Sequence, residues 1–250
     1  MQRIKCVISY DGKAFSGYQV QPNGRTVQEA FEQALSKMHK GSSIRVTASG
    51  RTDAGVHAQG QVLHFDTNLT IPDENWQRAL NALLPEDIFV RYAEEVAADF
   101  HARYDVVEKE YRYVILASAQ PILFERHYSY HVSKPIDVEA IQAACKLVEG
   151  KHDFTSFCAT KTGVKGDKTR TIYQAMCWKE ADKLIFSFRG SGFLYNMVRI
   201  LVGTLLDVGY KKNLPSDIVK IIDAKDRGAA GKTAPPQGLF LWNVVYRDRQ

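Results

Sequence analysis

Residues 3–10, which read RIKCVISY, predict the first strand of the fold. Ile4, Cys6, Ile8 and Tyr10 alternate along this stretch, so they share one face and predict a β-strand. The alternation begins at the third residue, without an apolar signal core or a small-residue cleavage site before it. We therefore expect the chain to stay in the cytoplasm.

Helical and extended patterns follow this strand in a regular order. Thr26 and Glu29 form a capping box before an apolar stripe that reaches Met38, which predicts a helix. Further patterns predict strands over 44–49, 61–66 and 88–95, and a helix over 72–84 that Pro85 stops. The order in this half is β-α-β-β-α-β.

The second half repeats this order. It predicts strands over 110–116, 169–180, 183–189 and 239–246, and helices over 137–149, 194–208 and 216–224, with Gly150 as a helix C-cap. We expect an α+β fold of two ferredoxin-like (RRM-like) units in tandem, forming an extended, mainly antiparallel sheet with helices on one face. The predicted units are residues 1–103 and 104–250.

Composition is that of a globular protein, with 45% hydrophobic and 24% charged residues in 250. The most apolar stretch, residues 197–208, carries Arg199 and Asp207, so we expect no membrane span. A net charge of +5 gives a mild bias toward polyanions. The four cysteines form no C-x-x-C pair, which favours reduced, buried thiols over a zinc or redox site.

Residues 50–58, which read GRTDAGVHA, are the most unusual segment. Gly50 and Gly55 can hold Asp53 on a tight turn, either as an ordinary Asx-turn residue or as a reactive carboxylate with Arg51 beside it. His57, like His64, lacks a metal-ligand spacing, so we predict a structural or substrate-contacting role and no metal.

A second candidate segment, residues 186–199, reads FSFRGSGFLYNMVR. Gly190 and Gly192 invite a dinucleotide-binding interpretation, but Tyr195 replaces the third glycine and no parallel crossover is evident. Arg199 falls in an otherwise apolar helix and needs a carboxylate or phosphate, for which Asp53 is the candidate.

Aromatic and basic residues add two further candidates. Tyr111, with Tyr113 on the same strand face, either packs ordinarily or stacks on a base. A basic loop either holds backbone phosphates or is simply solvated. Its members are Lys161, Lys165, Lys168 and Arg170.

Seven short motifs carry a resemblance to a known family across almost the whole chain. They are YDG at 10–12, GRTDAGVHA at 50–58, FHAR at 100–103, KEYRY at 109–113, GKHDF at 150–154, GFLYNMVR at 192–199 and APPQGL at 234–239. In this order they resemble the TruA family of tRNA pseudouridine synthases. Tyr18, where the family has Trp, and Ser191, where Asn is frequent, depart from its pattern.

This resemblance implies isomerisation of uridine to pseudouridine at positions 38, 39 and 40 of the tRNA anticodon stem-loop, without metal or organic cofactor. It assigns the nucleophile to Asp53 in the first unit, kept ionised by Arg199 of the second. Tyr111 would stack on the uracil and could take the C5 proton, and Leu239 would form an apolar wall. Arg51 would fill the stack vacated by the everted base, or grip the phosphate.

The resemblance also implies a homodimer in which one tRNA touches both subunits. Two alternatives stay open at this point: a catalytically silent RNA-binding module, and a nicotinamide enzyme built on Gly190 and Gly192.

Overall fold

The computed structural model describes residues 1–159 and 166–247, which divide into two compact units. The first unit contains residues 1–107 and the C-terminal strand from Phe240 onward; the second contains the described part of 108–239. The predicted division placed all residues after 103 in the second unit. The observed division differs from it because the last strand pairs with a strand of the first unit.

The first unit is a mostly antiparallel sheet with two helices. Its elements are β1 (Gln2–Tyr10), α1 (Val27–Met38), β2 (Thr47–Ala48), β3 (His57–Thr67), α2 (Asp73–Asn81), β4 (Ile88–Val96) and β10 (Leu239–Tyr246). The strand order is β4-β1-β3-β10, with β2 also paired to β3. β10 runs parallel to β3 and the other pairs are antiparallel.

The second unit has the same class of architecture. Its elements are β5 (Val106–Ala117), β6 (Tyr130–Val132), α3 (Val138–Val148), β7 (Gly150–Asp153), β8 (Thr169–Glu180), β9 (Lys183–Gly190), α4 (Met197–Gly209) and α5 (Asp217–Ala224). The order is β5-β9-β8-β7, all antiparallel, and β6 lies parallel to β5. The predicted α+β class is confirmed, whereas the tandem ferredoxin-like arrangement stays a prediction.

Local sequence rules account for the best-predicted elements. Along β1 the predicted alternation is confirmed, because Ile4, Cys6 and Ile8 are fully buried. Helix α1 starts where predicted, since the Thr26 hydroxyl accepts a hydrogen bond from the Glu29 amide at 3.3 Å. The first unit's core includes several aromatic rings, among them Trp76, which stands edge-on to Phe65.

Several element bounds differ from the prediction. The strand expected over 44–49 is limited to Thr47–Ala48, and the following strand extends from His57 to Thr67 instead of 61–66. The helix expected over 72–84 ends at Asn81, and the helix expected from residue 194 begins at Met197. The short strands β6 and β7 were not predicted.

Candidate active site

Asp53 lies on a tight turn between β2 and β3, half-buried. The turn closes on itself because the Val56 amide donates to the Asp53 carbonyl at 3.1 Å. Gly55 has φ +76°, a left-handed conformation that side-chain-bearing residues rarely adopt, so a glycine is favoured there. The motif glycine thus sets the path of the chain that presents Asp53.

The loop after β1 supports this turn from a second side. The Tyr18 amide donates to the Thr52 carbonyl at 3.1 Å, and the hydroxyls of Tyr10 and Thr52 share a 2.8 Å hydrogen bond. The loop backbone approaches so closely that a Cβ on Gly12 would lie 2.0 Å from the Val56 carbonyl oxygen. The two segments therefore form one rigid layer beside Asp53.

A third support comes from β3. The fully buried Gln61 donates from Nε2 to the Gly50 carbonyl at 2.9 Å and accepts from the Ser49 hydroxyl at 2.7 Å. His57 is 2% exposed, its Nδ1 accepts from the Gly12 amide at 3.0 Å, and its ring stacks on Phe240 with centroids 4.7 Å apart. These contacts give His57 a structural role, while its predicted contact with substrate stays a prediction.

Tyr111 sits on β5 of the second unit, half-buried. It is paired in register with Phe188 of β9, and its ring stands edge-on to Phe193 with centroids 5.0 Å apart. Tyr113, two residues along, is fully buried and donates from its hydroxyl to the Pro235 carbonyl at 2.8 Å. The strand thus offers one buried and one accessible phenol on the same face.

Arg199 belongs to the first turn of α4, and its guanidinium is held by two neutral oxygens. Nε donates to the Ala234 carbonyl at 2.7 Å, and Nη1 donates to Asn196 Oδ1 at 2.9 Å. Burial raises the pKa of Tyr113 above its ordinary value, and the positive charge of Arg199 opposes that rise. The cation is therefore fixed in place and acts electrostatically on its surroundings.

The sequence reasoning missed both of these partners. Ala234 lies 35 residues from Arg199 in the chain, and only the APPQGL motif marked its segment. Asn196 has φ +60°, a left-handed conformation that the helical pattern of residues 194–208 does not indicate. Leu239, the predicted wall residue, is buried at 5% exposure and follows Gly238, which packs against the Tyr113 ring.

The remaining predicted residues are placed as follows. Arg51 is exposed on the turn that carries Asp53, so Arg51, Asp53 and His57 share one segment of the first unit. In the basic loop, Arg170 donates from Nη1 to the Thr169 carbonyl at 2.7 Å. Lys161 and Lys165 lie outside the described residues.

The dinucleotide-binding interpretation fails on topology. Strand β9, which ends at Gly190, runs antiparallel to both of its neighbours, β5 and β8. A dinucleotide fold would need parallel strands joined by a crossover at this position.

Among residues 1–159 and 166–247, no group of three or more His, Cys, Asp or Glu side chains is arranged to hold a metal ion. Within the same ranges, no helix has the length and apolar character needed to cross a membrane.

Known proteins resemble this chain over nearly all of its length. The tRNA pseudouridine synthase A of Oceanobacillus iheyensis is 53% identical over 248 residues, covering 99% of this chain and 98% of that protein. The tRNA pseudouridine synthase A of Bacillus subtilis is 56% identical over 245 residues, covering 98% and 99%. That of Halalkalibacterium halodurans is 58% identical over 240 residues, covering 96% and 91%.

A solved structure, titled as the archaeal box H/ACA sRNP Nop10-Cbf5 complex, aligns with a TM-score of 0.37 and 13% identity, covering 81% of this chain and 43% of that one. A similarity this low supports no structural argument. A sequence profile described as tRNA pseudouridine synthase matches residues 6–105 and 144–247. The chain therefore belongs to the TruA family of tRNA pseudouridine synthases, and it is an enzyme of the isomerase class.

Proposed function

We propose that the protein isomerises uridine to pseudouridine at positions 38, 39 and 40 of the tRNA anticodon stem-loop, with the Asp53 carboxylate as nucleophile. The observation that carries this proposal is the turn around Asp53, which is fixed by the Gly12 loop, by Gln61 and by its own backbone. A half-buried carboxylate on so rigid a turn is preorganised for attack on one carbon atom.

The reaction exchanges one glycosidic bond for another. The C1′–N1 bond breaks, the uracil rotates, and C5 bonds to C1′; the C5 proton is lost and N1 gains a proton. Asp53 either adds to C1′ and is later displaced by C5, or removes a 2′ proton so that a glycal forms. Both routes need an ionised carboxylate, because a protonated Asp is a poor nucleophile and cannot accept a further proton as a base.

In the proposal, the positive charge of Arg199 keeps the Asp53 carboxylate ionised. A guanidinium within ~4 to 6 Å lowers the pKa of an Asp by about 1 to 3 units, which opposes the rise that a dry pocket causes. The two hydrogen bonds that Arg199 makes to Asn196 and Ala234 support this role, because they fix the cation before substrate arrives. The proposal therefore predicts an ion pair between the Arg199 guanidinium and the Asp53 carboxylate.

The substrate contacts follow from exposure and chemistry. Tyr111 stacks on the everted uracil and receives the C5 proton, which its half-buried ring beside Phe193 supports. Leu239 forms the apolar wall, in line with its burial. Arg51 is exposed, which suits a residue that fills the vacated stack or contacts phosphate.

The proposal includes a cytoplasmic homodimer. The cytoplasmic location is supported by the thiols, which are free and buried, as expected of a protein in a reducing compartment; they belong to Cys6, Cys145, Cys158 and Cys177.

Light scattering after size-exclusion chromatography tests the proposed homodimer, and a monomeric mass in the presence and absence of tRNA would contradict it.

The test is a map of pseudouridine in unmodified tRNA after incubation with the protein. We expect product at positions 38 to 40 with the wild type and with Asp182→Asn, an exposed control, and none with Asp53→Asn despite intact tRNA binding. Turnover by Asp53→Asn would overturn the assigned nucleophile. Binding by the wild type without any product would instead favour the silent RNA-binding module.

A further inference from the structure

An exposed aromatic stack lies at residues 101–104 of the first unit, outside the segments used in the proposed reaction. The Tyr104 side chain is 76% exposed, yet its ring stacks on His101 with centroids 4.2 Å apart and an interplanar angle of 26°. The guanidinium of Arg103 lies 5.9 Å from the centroid of the Tyr104 ring. A large ring is thus held at the surface instead of being folded inward.

The turn that carries this stack is closed by its own hydrogen bonds. His101 Nδ1 accepts from the amides of Arg103 at 3.1 Å and Tyr104 at 3.2 Å. The His101 amide donates to Asp105 Oδ2 at 2.8 Å, and the Asp105 amide donates to the His101 carbonyl at 3.1 Å. The backbone under the stack is therefore ordered, which lowers the entropy lost on binding a ligand.

The same turn is anchored to the core of the first unit. The Ala102 amide donates to Nδ1 of the buried His64 at 3.1 Å, and the Ala102 carbonyl accepts from the Tyr246 hydroxyl at 2.6 Å. The rings of His64 and His101 meet edge-on, 5.1 Å apart. Core packing accounts for His64 and Ala102, but it does not require a ring as exposed as that of Tyr104.

The charges near this turn are largely paired. Arg3 binds Asp66 through two hydrogen bonds, of 2.7 and 2.8 Å, and Lys5 binds Glu94 at 2.8 Å. A partner attracted mainly by charge would find little net potential there. A flat ring with an adjacent guanidinium suits a nucleic acid base, because every base offers a π-face to an aromatic side chain.

We propose that Tyr104 stacks on an unpaired base of the bound tRNA, with His101 holding the ring in position. This inference rests on the proposed function for the identity of the ligand, and it adds a binding contact that the reaction itself does not use. Because Tyr104 contributes only stacking on a base, it should raise the affinity for tRNA and leave the rate of the chemical step unchanged.

The experiment compares Tyr104→Ala, Tyr104→Phe and Phe124→Ala, the last being a matched control whose ring is 83% exposed. Affinity for unmodified tRNA is measured at several salt concentrations, with kcat and KM for pseudouridine formation. We expect Tyr104→Ala to bind about 5- to 150-fold more weakly, with kcat unchanged. Tyr104→Phe and Phe124→Ala should bind like the wild type, and the salt dependence should be the same for all variants.

Three results would overturn the proposal. One is an unchanged affinity for Tyr104→Ala; another is an equal loss in Tyr104→Phe, which would point to the hydroxyl. The third is an altered oligomeric state with unchanged tRNA affinity, which would make Tyr104 a protein contact. The binding measurement needs no turnover, so it tests the stack even if the wild type forms no pseudouridine.

Discussion

Asn196 combines an unusual backbone conformation with a side chain that binds Arg199. Its φ of +60° is left-handed, and although it directly precedes α4 its side chain makes no capping hydrogen bond. That side chain instead accepts from Arg199 Nη1 at 2.9 Å. The helix start therefore serves to position the cation, because Asn tolerates this conformation better than most residues.

This arrangement predicts different results for Asn196→Ala and Asn196→Gly. Alanine loses the hydrogen bond and adds a backbone cost of roughly 1–2 kcal/mol, so both stability and kcat should fall. Glycine loses the hydrogen bond but accepts the backbone, so its melting temperature should stay closer to that of the wild type while its kcat falls. Thermal unfolding and single-turnover rates separate the two effects; full kcat in Asn196→Gly would contradict the positioning role.

His64 makes folding stability depend on pH. Burial, and to a lesser degree electrostatic interactions with Arg3 and His101, lower the pKa of His64 from 6.5 to about 4. Asp66 and Asp105 act weakly in the opposite direction. In the fold, Nδ1 accepts from the Ala102 amide, so the neutral ring is the form that fits.

The unfolded chain therefore binds a proton on His64 near pH 6.5, whereas the folded chain does so only near pH 4. The free energy of unfolding should fall as pH is lowered through this window, by at most about 3 kcal/mol for this group. His64→Asn keeps an acceptor near the Nδ1 position and removes the titration. Urea unfolding at pH 7 and pH 4.5 should show a smaller loss for the variant; an equal loss would contradict the assignment.

At this scale, the sequence identifies candidate residues more readily than their partners. Asp53 stands out because no structural turn needs Arg-Thr-Asp between glycines. The Ala234 carbonyl that binds Arg199 could not be found in the same way, because a backbone acceptor leaves no mark on residue type. Its position is decided by tertiary packing.

At the scale of elements, the loop after β1 fixes the position of the turn that carries Asp53. Gly12→Ala would place a Cβ 2.0 Å from the Val56 carbonyl oxygen, and because that oxygen belongs to the backbone the clash cannot be relieved by a side-chain movement. We expect a loss of about 1–3 kcal/mol of stability. The kcat should fall at least tenfold as the turn shifts.

The control is Ala14→Ser, which adds one atom at an exposed position of the single 3-10 turn, Gly12–Ala14, that also contains Gly12. It should keep wild-type stability and activity. Differential scanning calorimetry and pseudouridine assays on both variants provide the measurement. A fully active Gly12→Ala variant would show that the loop does not set the geometry of Asp53.

Elements were predictable where their signals are local. The caps Thr26 and Asp137 start α1 and α3 as expected, because each side chain accepts from an amide three residues ahead. Helix α2 stops early because the Asn81 side chain binds the backbone of Val90. Asn81 Nδ2 donates to the Val90 carbonyl at 2.9 Å, and Asn81 Oδ1 accepts from the Val90 amide at 2.7 Å. The helical periodicity of the sequence gives no sign of this contact. Such tertiary contacts override propensity and leave no periodic pattern.

At the scale of the molecule, the order of elements along the chain does not reveal that the last strand belongs to the first unit. Phe240 and Leu241 pair in parallel with His57 and Ala58, across more than half of the sequence. A boundary near residue 103 follows naturally from two successive element patterns. Parallel pairing between distant segments has no comparable signal, so the sequence could not assign this strand to the first unit.

The net charge of +5 belongs to this scale as well. If phosphate contacts dominate tRNA affinity, log K should fall linearly with log salt, by about 0.7 to 0.9 per contact. We expect at least about a tenfold loss between 50 and 200 mM salt, measured by filter binding. An affinity that stays flat over this range would exclude phosphate-led recognition.

The proposed mechanism depends on direct participation of the Asp53 carboxylate in the reaction at the target nucleotide. Bonding of C5 to C1′ releases the C5 hydrogen, so tRNA carrying tritium at C5 of uridine reports the chemistry directly. In a single turnover with enzyme in excess, the wild type should release tritium, and Asp53→Asn should bind the same tRNA with similar affinity and release none. Tritium release by Asp53→Asn at a rate near that of the wild type would contradict the account.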